Sequence, residues 1–443
     1  VDWLIEQITS FFERDAIIHE NHIYSYQDLY NGFKQWQKIL IKDNVKAGEV
    51  VGFESDYSLA ASSLFLALIA NNNIVVPFSS ILAKQQDDLI EIAQVKHLYR
   101  LIENGFEHFL LPHQINQELL LRLNKLNKPG LLLFTSGSTG VPKAVIHDFS
   151  KIIAKYREPR QALRTLTFLL LDHIGGINTL FHTISNGGTV IIAPSRKPED
   201  VCWAIQEYQV ELLPVSPTFL NLLLLSEQYL NYDFSSVKII SYGTEVMPTS
   251  LLQKLNQIFP QVEFRQTYGL SELGIMRTKS KASDSLWLKI GGKGYETKIV
   301  DGILYIKADS AMLGYLNAPC PFDEEGWFNT QDQVEVNGEY LRILGRKSDL
   351  INVGGQKVYP AEVEDIILQM PGVNDVTIKG ETNSITGQIV SAKVNLLEPE
   401  TTLAFKKRMR EFCQDKLEAY KIPIKIEIIT EELFNSRYKR IRE

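Results

Sequence analysis

The sequence predicts a layered α/β fold: a large N-terminal α/β domain with a small β-rich subdomain, followed by a small C-terminal α+β domain. Three observations predict it. Helical apolar periodicity alternates with short β-branched runs over much of the chain, the pattern of parallel strands joined by helices. From Lys289 onward this gives way to short strands and Gly-containing turns. At Gly345-Arg346-Lys347-Ser348-Asp349 a polar, turn-like stretch intervenes, and a segment of mixed helices and strands follows. The expected organisation is therefore 1–345 as the N-terminal domain, 346–349 as a hinge and 350–443 as the C-terminal domain.

The elements follow in order. Asp56 to Ala70 reads as a helix, capped near Asp56 or Ser58. Ile74-Val-Val-Pro-Phe78 reads as a short buried strand, and the apolar run Leu131 to Phe134 as another. Thr189 to Ala193 and Val237 to Ser241 are β-branched strands with helical stretches between them. Glu296 to Val300, Ile303 to Lys307, Gln333 to Val336 and Tyr340 to Leu344 make the β-rich part, with Asn337-Gly338 as a hairpin turn. Pro360 to Gln369 and Ala404 to Lys416 read as helices of the last domain. No internal repeat or low-complexity segment interrupts the pattern.

A chain of 443 residues is too long for one small core. Hydrophobic content of 44% and charged content of 22% are those of an ordinary soluble protein. A net charge of −7 argues against a general nucleic-acid or anionic-membrane partner. Cys202, Cys320 and Cys413 lack metal-ligand spacing and read as reduced thiols. The first residues carry Asp2, Glu6, Glu13 and Arg14, unlike a signal peptide, and the longest apolar stretch, Leu64 to Ala70, is too short to span a bilayer. The expectation is a cytoplasmic protein.

The chemistry starts at Thr135-Ser136-Gly137-Ser138-Thr139-Gly140-Val-Pro-Lys143. A strand emptying into small and hydroxylated residues can aim backbone N–H groups and hydroxyls at one anion, and Lys143 adds a full charge. The spacing is not that of a Walker A loop. Further on, Gln266-Thr267-Tyr268-Gly269-Leu-Ser271-Glu272 sets an aromatic face for a base beside a carboxylate suited to Mg²⁺. Gly326-Trp-Phe-Asn-Thr-Gln-Asp332 ends in an acid able to accept from two ribose hydroxyls, and Arg346 offers a fork of donors. Lys439 sits in the basic tail Tyr438-Lys-Arg-Ile-Arg442.

In this order the motifs resemble those of the adenylate-forming superfamily: acyl-CoA synthetases, peptide-synthetase adenylation domains and luciferases. The likeness runs from Tyr24-Ser-Tyr-Gln-Asp-Leu29 to Arg442. It implies that the small domain rotates between two half-reactions. It also implies that Thr135 to Lys143 clamps the ATP β- and γ-phosphates, and that Tyr242-Gly243-Thr244-Glu245 lines the adenine pocket. Tyr268 would stack on adenine, Glu272 would hold Mg²⁺, Thr267 or Ser271 would reach the α-phosphate, and Asp332 and Arg346 would bind ribose. Lys439 would bridge the substrate carboxylate and the α-phosphate.

The acyl pocket follows from the same resemblance. His173 falls at a position that approaches the substrate carboxylate, with a satisfied core histidine as the alternative. Ile174 stands where amino-acid-activating members carry an aspartate, so an acid without an α-ammonium group is expected, provided that neighbouring Asp172 is not the aligned residue. Gly175 and Gly176 would leave room for a long or flat acyl group, and Tyr242 and Gly243 would complete the pocket. The sequence departs from the family pattern at Gln331 and Tyr438, both usually glycine, and at Ser348 in the hinge. The expected reaction is ATP-dependent ligation of a fatty or aryl acid to coenzyme A, or to a phosphopantetheine carrier acting in trans. The alternatives are a stand-alone amino-acid adenylation enzyme and a catalytically silent nucleotide-binding homologue.

Overall fold

Residues 1–79, 86–135, 142–435 and 437–441 are described by the structure, a computed structural model. Among them, one seven-stranded sheet runs in the spatial order Glu263–Gln266, Ile239–Tyr242, Leu212–Val215, Arg164–Leu166, Thr189–Ile191, Asp15–His19 and His22–Ser25. Every pairing in it is parallel except the last. A second seven-stranded sheet has the parallel core Gly130–Thr135, Ile74–Phe78, Val50–Glu54 and His97–Ile102. The helices Tyr26–Lys42, Leu59–Ala70 and Ile174–Ser185 share one apolar cluster with residues of both sheets, so they form a layer between them. That burial explains why Leu59–Ala70 is apolar on nearly every face and why the strands read as unbroken apolar runs.

Local signals set the boundaries. The helix expected from Asp56 begins at Leu59, because the Ser58 side chain accepts from the Ala61 N–H. The strand Ile74–Phe78 stands as expected. The β-rich part is a six-stranded sheet that includes Tyr295–Val300, Ile303–Ala308, Phe328–Asn337 and Tyr340–Arg346. Its hairpin turn is displaced by one residue from the expected Asn337-Gly338. Asn337 pairs with Tyr340, and the two connecting residues are Gly338 and Glu339. Gly338 alone of these takes a left-handed φ, +62°, which glycine tolerates at least cost.

After Lys347–Asp349, a short 3₁₀ turn, the chain enters a five-stranded sheet that includes Ile351–Val353, Val373–Asn383 and Gly387–Leu396. The helices Pro360–Ile367 and Thr402–Cys413 pack on it around a separate apolar cluster. Cys202 and Cys413 lie in the cores, and burial pushes their thiols up to about 12 and about 11, away from thiolate chemistry. Among the described residues no helix is long and apolar enough to cross a membrane.

Candidate active site

The parallel strands of the first sheet end at Leu166, Val215, Tyr242 and Gln266. Open α/β sheets bind ligands at such carboxyl ends, where the connecting loops diverge. A cavity of about 400 Å³ opens there. It is lined by Thr135, Gly243, Thr244, Glu245, Thr267, Tyr268, Gly269, Ser271, Glu272, Asp332 and Arg346, and also by His173, Ile174, Gly175 and Lys439. Residues spread over more than 300 positions of sequence therefore face one space.

Ser136, Gly137, Ser138, Thr139 and Gly140 lie outside the described residues, as does Arg442. The ends of that loop are placed by the sheet: Thr135 pairs with Lys143 across an antiparallel ladder. Lys143 Nζ sits 5.2 Å from the centroid of the Tyr315 ring, and the Tyr315 hydroxyl donates to Glu272 Oε1 at 2.6 Å. Lys143 does not itself line the cavity.

Gly243 is required by a close approach. A Cβ there would lie 2.5 Å from Thr267 Oγ1. The Thr267 hydroxyl already donates to the Tyr242 carbonyl at 3.0 Å, whereas the Ser271 hydroxyl has no acceptor among the described residues. The Tyr268 hydroxyl donates to Asp332 Oδ2, leaving Oδ1 towards Arg346 Nε at 3.6 Å. Burial raises the Asp332 carboxyl above its ordinary range despite these partners.

Two expectations need correction, and a third needs a detail. Tyr242 is not on the cavity wall; its ring is buried in the sheet core, and its hydroxyl has no partner among the described residues. Gly176 does not make room for an acyl group, since a Cβ there would lie 1.9 Å from the Leu170 carbonyl oxygen, and only glycine allows that backbone contact. Glu245 lines the cavity, but its carboxylate is occupied elsewhere: Oε2 accepts from the Thr218 hydroxyl at 2.6 Å and Oε1 from the Arg440 N–H at 2.5 Å.

The tail is docked rather than solvated. Arg437 Nη2 reaches Asp172 Oδ2 at 2.8 Å, and Ser79 donates to the same oxygen at 2.5 Å. The Tyr438 ring packs against Phe168, Phe219 and Phe434 at centroid distances of 5.2, 5.7 and 5.4 Å. Its carbonyl accepts from the Ser216 hydroxyl at 2.7 Å. Lys439 Nζ lies 3.1 Å from His173 Nε2. Because His173 Nδ1 accepts from the Gly175 N–H at the start of Ile174–Ser185, the neutral ring carries its proton on Nε2; it can donate to Lys439 only when the amine is unprotonated, and the ammonium form must take its acceptor elsewhere in the cavity. Burial holds His173 well below its ordinary value, hence neutral, and lowers Lys439 to about 8.

The AMP-binding enzyme family model matches residues 4–316, and the AMP-binding enzyme C-terminal domain matches residues 362–437. The chain belongs to the AMP-binding enzyme family. It is thus an adenylate-forming enzyme. It is 25% identical to the 2-succinylbenzoate–CoA ligase of Bacillus subtilis over 100% of this chain and 96% of that protein. It is 26% identical to the indoleacetate–CoA ligase of Aromatoleum aromaticum over 71% of this chain, an alignment that spans 66% of that ligase. Its fold matches an anthranilate CoA ligase solved with anthranoyl-AMP, with a TM-score of 0.84 and 19% identity over 100% of this chain and 95% of that one.

Two departures of this AMP-binding enzyme from the family pattern have one explanation. Gln331 and Tyr438, each standing where glycine is usual, have φ of +61° and +52°. The left-handed backbone is retained without the residue that favours it, at a cost of roughly 1 kcal/mol per site. At Tyr438 the aromatic cluster offsets that cost, since each ring pair is worth about 0.5–1.5 kcal/mol beyond area burial. Tyr438→Gly should therefore loosen the tail although it relieves strain. We expect adenylate formation to slow about tenfold, with Tyr438→Phe retaining most of the rate; a glycine variant at the wild-type rate would show that the ring does not hold the lysine in place.

Sequence reasoning gave no role to Arg437, Arg440 or Asp365, and it named Asp172 only as an alternative alignment for the acyl pocket. Asp365, on Pro360–Ile367, accepts from the N–H groups of Thr249 (3.2 Å) and Ser250 (3.0 Å). It thereby caps the helix Thr249–Ile258, whose own N-cap residue, Pro248, has no side-chain acceptor.

Proposed function

We propose that this AMP-binding enzyme is an ATP-dependent ligase that joins a carboxylic acid without an α-ammonium group to coenzyme A. The observation that carries the reading is Lys439, held beside His173 in the cavity that also contains Tyr268, Glu272, Asp332 and Arg346. A carboxylate attacking an α-phosphate brings two anions together. A lysine contact at 4 Å and an effective dielectric of 20 offsets about 4 kcal/mol of that repulsion. Tyr268 offers a ring to the adenine, Asp332 Oδ1 and Arg346 offer partners to the ribose, and Ser271 offers its hydroxyl to the α-phosphate. Products of this step are the acyl-adenylate and pyrophosphate; the thiol then displaces AMP to give the thioester.

The residues fit a magnesium ion. Glu272 places a carboxylate on the cavity wall with one oxygen engaged by Tyr315, and Mg²⁺ commonly takes one or two carboxylates and completes its shell with phosphate and water. Bound there, it would neutralise phosphate charge.

The acid class rests on Ile174 and Asp172. Ile174 presents an apolar wall, and Asp172 is buried outside the lining of the cavity with its Oδ2 taken by Arg437 and Ser79, so neither is placed to receive a substrate ammonium. Retention of the left-handed backbone at Gln331 and Tyr438 argues against a silent homologue. The acceptor is taken as coenzyme A because the similar curated proteins are CoA ligases. We take 346–349 as the hinge, a reading supported by the short turn Lys347–Asp349 that follows the strand Tyr340–Arg346; rotation there would break the Arg437–Asp172 and Asp365–Ser250 contacts and withdraw Lys439.

A pyrophosphate-exchange screen over fatty, aryl and amino acids, followed by mass detection of the thioester with coenzyme A or a phosphopantetheine carrier, tests the reading. Exchange driven by fatty or aryl acids and a CoA thioester are expected; exchange driven by amino acids alone would overturn it. The pH dependence has a definite sign. Burial depresses the Lys439 pKa to about 8, so its ammonium form is present below that pH and is lost as pH rises through it. Adenylation at subsaturating ATP should fall above about pH 8, and ATP binding should take up protons there, readable by calorimetry in buffers of different ionisation enthalpy.

A further inference from the structure

The acyl side of the cavity carries a polar feature that neither adenylate formation nor thioester formation uses. Its wall includes Ile174, Asn178, Thr179 and Ile275. Behind it, Lys155 Nζ donates to Asn178 Oδ1 at 2.7 Å and to the Ile275 carbonyl at 2.6 Å. The Tyr156 hydroxyl donates to the same Asn178 oxygen at 2.8 Å. Two donors on one atom fix the orientation of the amide: Oδ1 faces Lys155 and Tyr156, and Nδ2 is left over. Among the described residues Nδ2 has no acceptor, and Asn178 lines the cavity. Thr179, the other polar side chain of this wall, gives its proton to the Gly175 carbonyl at 2.9 Å.

Lys155 is unusual in its own right. Its ammonium is surrounded by Asn178, Ile275 and the Tyr156 ring, and among the described residues no carboxylate lies within ion-pair distance of it. Burial lowers the lysine to about 7, and Arg277, itself paired with Glu158 at 2.7 Å, adds to that lowering. A buried cation with neutral partners alone favours an incoming anion, and a polarised amide N–H pair is the group through which that anion would be met. An alkyl or unsubstituted aryl group seated here would instead strip water from Nδ2 and return nothing.

We infer that the acid activated by this enzyme is a dicarboxylic acid: one carboxyl group reacts at Lys439, and the second, on the acyl body, is received by Asn178 Nδ2 with Lys155 behind it. This rests on the ligase reading above and names its substrate class. Asn178 is then a specificity-determining residue, and Lys155 is a positioning residue that acts through it.

The test uses the full chain in ATP–pyrophosphate exchange. Straight-chain monocarboxylates are compared with ω-dicarboxylates of the same length, and phenylalkanoates with analogues bearing a ring carboxyl. The wild type should prefer the dicarboxylate of a matched pair by about 30-fold or more in kcat/KM, since a site built around a polar group rejects ligands that leave it unpaired. In Asn178→Asp and Lys155→Met that ratio should fall towards unity, carried mainly by the KM of the dicarboxylate. Equal or better use of monocarboxylates by the wild type would overturn the inference and leave the ligase reading standing. A dicarboxylate preference that survives both variants would overturn the assignment to Asn178 and Lys155. No exchange with any acid in either series would sink the ligase reading and the inference with it. If either variant fails to fold, the wild-type comparison still decides the substrate class.

Discussion

Lys439→Ala should slow acyl-adenylate formation by about 10²–10³-fold, the scale of losing one transition-state charge contact in a water-poor site. Thioester formation from a supplied acyl-adenylate should largely survive. The split follows from geometry. Lys439 is the residue of the tail whose side chain reaches His173 on the cavity wall, and among the described residues it makes no ion pair. Arg437, Tyr438 and Arg440 anchor the segment through separate partners, so truncating the lysine removes charge without releasing the tail. Pyrophosphate exchange reads the first half-reaction, and thioester appearance from synthetic acyl-adenylate reads the second. Equal loss in both would show that Lys439 supports the structure of the site rather than the attack on phosphorus. Removal of the amine should also abolish the decline in adenylation above about pH 8, because the group that titrates is gone.

Much of the layered fold was legible because its signals are local. The run Ile74–Phe78, the cap at Ser58 and the β-branched strands beneath the cavity each declare themselves within a few residues. The turn at Gly338 was missed by one position, since register is settled by cross-strand pairing and Asn-Gly does not reveal which residue takes the positive φ. The candidate site was legible where a side chain works on its own stretch of chain, as with Tyr268, Glu272 and Asp332. It was opaque where function depends on a distant partner. Arg437 and Asp172 are 265 positions apart, and nothing near either announces the other. The tail was legible at Lys439, through its likeness to the family's lysine, but the partners of its flanking arginines were not. Glu245 lines the cavity as expected, but what its carboxylate does was not legible: its oxygens serve the backbone of the tail and the helix Pro217–Leu225.

Arg440→Ala carries the larger structural penalty. The guanidinium bridges Glu364 Oε2 at 3.0 Å and Asp375 Oδ1 at 2.8 Å, and all three side chains are buried. Removing the cation from such a cluster costs about 3–5 kcal/mol, because the acids stay buried without this cationic partner. Glu364 and Asp375 belong to the small domain, while the Arg440 N–H donates to Glu245 of the large one. The residue therefore bolts the tail to its own domain at the point where the tail meets the cavity. The variant should lose adenylation with Lys439 still present, and should show a lowered denaturant midpoint for the small domain. The sign with pH is fixed by the carboxylates. Burial already raises Asp375 above its ordinary value, and loss of Arg440 raises it further. A carboxyl with a raised folded-state pKa destabilises in its ionised form, so the deficit should be full at neutral pH and shrink as pH falls through that raised value. Arg440→Lys should restore part of the stability but not the two-acid bridge, as a single ammonium cannot reproduce the fork. A deficit that grows on acidification would place the loss elsewhere than in the two buried acids.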